Sequence, residues 1–90
     1  MRLQFTKMVQ FSLLVKAGDR VREFNFRKLR IPHEDLFSVN VCDERGNRIV
    51  FNLEKQEAEW KIVPSGKLPR WVIQSELRLR EAMEEELRSW

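Results

Sequence analysis

Residues 8–16, MVQFSLLVK, place Val9, Phe11, Leu13 and Val15 on alternate positions, with Gln10, Ser12, Leu14 and Lys16 between them. Apolar side chains at every second residue line one face of an extended strand, so this segment covers a core as a strand rather than as a helix. The pattern recurs. In VREFNFRKLRI, Phe24 and Phe26 take one face while Glu23, Asn25 and Arg27 take the other; in LFSVNVC, Phe37, Val39 and Val41 alternate with Ser38 and Asn40. RIVFNLE repeats it with Ile49, Phe51 and Leu53, and EWKIV with Trp60 and Ile62.

Turn signals separate the runs. Gly18-Asp19 suits a tight hairpin, and DERGN brings Gly46 to a position where a hairpin loop needs positive φ. Pro32 ends the second run and Pro64-Ser65-Gly66 the fifth. From Pro69 the period changes: Val72, Ile73, Leu77, Leu79, Met83 and Leu87 fall on one stripe at 100° per residue, predicting a helix over about 69–88. Strands joined by short hairpins pair antiparallel, and one amphipathic helix must bury its stripe on the sheet. The expected fold is α+β: four to five antiparallel strands in meander order over about 6–63, with one C-terminal helix packed on one face. Gln10, Ser12, Asn25, Arg27, Ser38, Asn40, Val50 and Asn52 are predicted to form the opposite, wet face.

Ninety residues, 42% hydrophobic and 34% charged, suit one folded domain with a modest core rather than a disordered chain. The longest apolar run near the N-terminus, Leu13-Leu14-Val15, is too short for a signal peptide or a membrane span, so the expected location is the cytoplasm. Cys42 has no second cysteine to bridge and reads as a small hydrophobe closing a strand. Catalytic groupings are sparse: one histidine, His33, no Tyr, no CxxC or HxxxH metal spacing and no glycine-rich phosphate loop. The expectation is a non-enzyme without cofactor or metal.

Binding is the remaining class. The net charge of +3 is unevenly spread: residues 1–34 hold eight Lys or Arg against three acids, while residues 67–90 hold five of each. Arg20, Arg22, Arg27, Lys28 and Arg30 interleave with Phe24 and Phe26, a composition suited to phosphate contacts and base stacking. With the phenylalanines in the core, the same cations become the charged flank of a strand. About four antiparallel strands followed by one helix resemble the repeat unit of the Pur-alpha and whirly single-stranded nucleic-acid-binding folds, which implies single-stranded nucleic-acid binding, here through the basic second strand.

The helix raises a different question, because Glu76 and Arg80 sit inside its apolar stripe. Spaced i to i+4, they are expected to pair as a structural unit. A helix of about 19 residues spans roughly 28 Å against about 19 Å for four strands, so its end should overhang the sheet. Met83, Leu87 and Trp90 would then form an interaction surface with Trp71, covered by a protein partner or a second copy of the chain. A non-catalytic, self-associating interaction domain is thus the first functional expectation, with single-stranded nucleic-acid binding the alternative.

Overall fold

The computed structural model describes residues 9–29, 35–63 and 67–89. Five strands, β1 (Gln10–Ala17), β2 (Arg20–Lys28), β3 (Leu36–Cys42), β4 (Arg48–Gln56) and β5 (Glu59–Val63), form one antiparallel sheet in the order β1-β2-β3-β4-β5. The helical segment follows as α1 (Arg70–Ile73) and α2 (Glu76–Leu87). This is the α+β meander that the alternating runs predict. The first residues of the expected opening strand, 6–8, lie outside the described residues, as does His33.

The register follows the hydrophobic phase. Phe11 pairs with Phe26, Phe26 with Val39, and Val39 with Phe51, so one row of apolar side chains crosses four strands on the same face. Phe24, Phe26, Phe37, Val39, Phe51 and Leu53 are buried and pack with Val72, Leu79 and Met83 from the helical segment. Phe11 stacks on Phe26 with centroids 5.1 Å apart, and Trp60 meets Phe37 edge-on at 5.4 Å. The opposite face is polar as expected. Ser12 Oγ donates to Asn25 Oδ1, and Asn25 Nδ2 donates to Asn40 Oδ1 at 3.0 Å.

The hairpins differ in how they turn. Gly18 has φ +72°, and a Cβ there would lie 3.2 Å from Trp71 Cβ, so glycine serves both the tight turn and the close approach of α1. In the β3–β4 hairpin Asp43 Oδ1 accepts the Arg45 and Asn47 N–H groups at 2.9 and 2.8 Å, an Asx-type closure completed by Gly46 at φ +81°. The last hairpin turns on Glu57 and Ala58 at φ +52° and +71°, the pattern of a type I′ turn without the usual Asn-Gly.

The helix is not continuous as expected. Ser75 Oγ donates back to the Trp71 carbonyl, and Ser75 N–H to the Val72 carbonyl at 3.0 Å, tightening the chain so that α2 starts afresh at Glu76. The 12 residues of α2 meet both edge strands, β1 and β5. The expected overhang fails for this reason: Met83 is fully buried in the core, and Leu87 packs against it. Trp90 lies outside the described residues. Cys42 corrects another expectation, since it is exposed rather than packed.

Candidate interaction edge

A five-stranded open sheet has two edges, and each carries backbone groups that need partners or water. On β5 the Ile62 N–H is bonded to Glu76 Oε2 at 2.8 Å, from the first turn of α2. Arg80 Nη1 lies 3.2 Å from Glu59 Oε2 on the same strand. These contacts correct the expected Glu76–Arg80 ion pair: the two side chains do not meet each other but reach β5 separately. An acid in an apolar stripe is thereby explained, because it supplies the acceptor that an edge amide lacks. No sequence signal marked Ile62 as its partner.

The β1 edge has no such cover among the described residues. In an antiparallel ladder alternate residues point both backbone groups at the neighbouring strand. Lys28 N–H donates to the Val9 carbonyl at 2.9 Å, which puts Val9, Phe11, Leu13 and Val15 in that phase towards β2. The N–H and C=O groups of Gln10, Ser12, Leu14 and Lys16 therefore point away from the sheet. All four residues are exposed, Leu14 by 73%, and no proline interrupts the strand. Val21, diagonal to Leu14 across the β1–β2 ladder and 60% exposed, extends a small apolar spot on the outer face. Below the edge a groove of about 380 Å³ runs between β1 and α2, lined by Leu13, Leu14, Ala82, Glu85, Glu86 and Ser89.

The basic strand is divided by its own alternation. Arg22 shares its phase with Phe24 and Phe26 and is buried, where its guanidinium lies 3.9 Å from the Trp71 ring centroid, donates to the Ala17 carbonyl at 3.2 Å, and pairs with Glu44. That corrects its place in a nucleic-acid surface, and Phe24 and Phe26 are buried too, out of reach of bases. Trp71 likewise forms one side of this clamp rather than a free contact surface. The Arg22 hydrogen bond holds the Glu44 carboxyl below the usual carboxylate range, and the Asn47 N–H does the same for Asp43. Arg27 and Lys28 are exposed, Arg20 lies 3.8 Å from Asp19, and Arg30 falls outside the described residues. Arg27 opens on a shallow hollow of about 300 Å³ with Gln10, Ser12, Asn25 and Asn40.

Among the described residues no cluster of His, Cys, Asp or Glu could hold a metal ion, and no helix is long and apolar enough to cross a membrane. No protein-family model, curated protein or solved structure matches the chain. The likeness to the Pur-alpha and whirly repeat units therefore stays one of general topology, and β5 is a strand beyond the roughly four on which it rests.

Proposed function

We propose that the chain is a non-catalytic interaction domain that meets a protein partner by strand addition to β1. The carrying observation is the asymmetry of its edges: β5 is tied to α2 through Glu76 and Arg80, while β1 presents four residues with outward backbone groups, exposed Leu14 among them. An added strand gains main-chain hydrogen bonds along the edge and side-chain contacts on both faces. The cytoplasm is its proposed setting, where an exposed unpaired thiol such as Cys42 stays reduced.

The test is a titration of the full chain with a neutral octapeptide of alternating Val and Thr, followed by amide NMR. Shifts and slowed exchange at Ser12 and Leu14, with none at Ile62, are expected. Leu14→Pro removes an outward N–H that no ladder bond uses, so the fold should survive while binding is lost; Leu14→Lys is the milder control. Shifts confined to another surface, or unchanged binding by folded Leu14→Pro, would overturn the proposal.

A further inference from the structure

We infer that the segment added to β1 is a basic one, with Lys or Arg alternating with apolar residues. The inference rests on the strand-addition reading and adds the chemistry of the partner. A strand paired with β1 sends alternate side chains to opposite faces. Those beside Leu14 and Val21 meet exposed apolar surface. Those beside Leu13 point into the groove, whose apolar floor, Leu13 and Ala82, is bordered by Glu85 and Glu86. A long cationic side chain fits that combination, its stem along the floor and its head at exposed Glu85. An acidic side chain would meet like charge.

A second copy of the chain fits the groove less well. Antiparallel pairing of two β1 edges about Leu14 sets Leu14 against its mate and Ser12 against Lys16, but it also brings two α2 borders with Glu85 and Glu86 towards one axis. Complementary charge favours a different chain with the opposite sign.

Three octapeptides, alternating Val-Lys, Val-Thr and Val-Glu, distinguish these cases when titrated into the full chain at low salt with Ser12 and Leu14 amides as the readout. The lysine peptide should bind about fivefold tighter than the threonine peptide, as one well-placed surface ion pair allows, and the glutamate peptide weakest. The advantage should vanish at about 0.5 M salt. Glu85→Lys, an exposed change that leaves the core untouched, should reverse the order of the charged peptides. Equal affinities, or an unchanged order in Glu85→Lys, would overturn the charge inference while leaving strand addition standing. If no peptide moves Ser12 or Leu14, strand addition itself fails and this inference with it. A dimer by light scattering that protects those same amides would assign the edge to a second copy and overturn the basic partner.

Discussion

Replacing Glu76 with alanine should open the β5 edge. The carboxylate accepts the Ile62 N–H at 2.8 Å in a half-buried position, and a hydrogen bond to a charged group contributes about 1.5–3 kcal/mol. Glu76 is also the one acid in the first turn of α2, where the helix dipole adds about 0.3–1 kcal/mol. Alanine returns a few tenths of a kcal/mol in helix propensity. The net loss is about 2–3 kcal/mol, a large share of the roughly 5–13 kcal/mol a domain of this length has, and it corresponds to a fall in Tm of about 10–20 °C. Glu76→Gln keeps an acceptor oxygen and should lose only about 1 kcal/mol. Urea denaturation gives the stabilities, and amide exchange identifies the bond: Ile62 should exchange faster in Glu76→Ala while Leu53, across the β4–β5 ladder, changes only with global stability. Exposed Glu81→Ala is the control. If Glu76→Ala and Glu81→Ala agree within about 0.5 kcal/mol, or Ile62 protection is unchanged, the edge-capping argument is wrong.

Other outcomes follow from the same contacts. Arg22→Lys keeps the charge but loses the planar fork over Trp71 and against the Ala17 carbonyl, and should destabilise by about 1–2 kcal/mol in thermal melts. Glu57→Asn with Ala58→Gly fits the two positive-φ positions and should stabilise by about 1–2 kcal/mol, with no shift of amide resonances in β1–β3. Because the Asp43 and Glu44 carboxyls are held below their ordinary values, their contribution is complete at neutral pH and is lost as pH falls from about 4.5 for Glu44 and about 3.8 for Asp43 through the lowered values. Asp43→Asn and Glu44→Gln should flatten that acid limb of a stability–pH curve, and an unchanged limb would place the titrating groups elsewhere.

Strand phase was legible in the sequence because one face of every strand is buried, and a slip of one residue would have turned Phe24, Val39 and Phe51 to water. The same phase rule already held the fate of Arg22: it stands two residues before Phe24, on the inward side, and grouping it with Arg27 by proximity in sequence ignored the alternation. The break at Ser75 was not legible, because nothing in QSEL distinguishes a serine exposed on a helix from one bonding back to a carbonyl. Nor was the role of Glu76, whose partner is a backbone amide and so leaves no residue type to recognise. The helix end was misread for a geometric reason. The length comparison took one unbroken helix of about 19 residues over four strands, whereas α2 has 12 residues and lies on five strands, with Met83 buried. That β1 is an edge was implicit in the expected meander order; that β5 is capped and β1 is not was illegible, because the cap reaches a backbone amide.

The placement of α2 against both edge strands has a dynamic consequence. Within the meander each strand bonds only to its neighbours in sequence, so β1 and β5 exchange no hydrogen bond and belong to hairpins that could fray independently. One helix bolts them both, Leu79 and Met83 into the shared core and Glu76 onto Ile62. Any fluctuation that lifts α2 therefore frees the two margins of the sheet at once, and their slowest-exchanging amides should report a common opening free energy set by the helix.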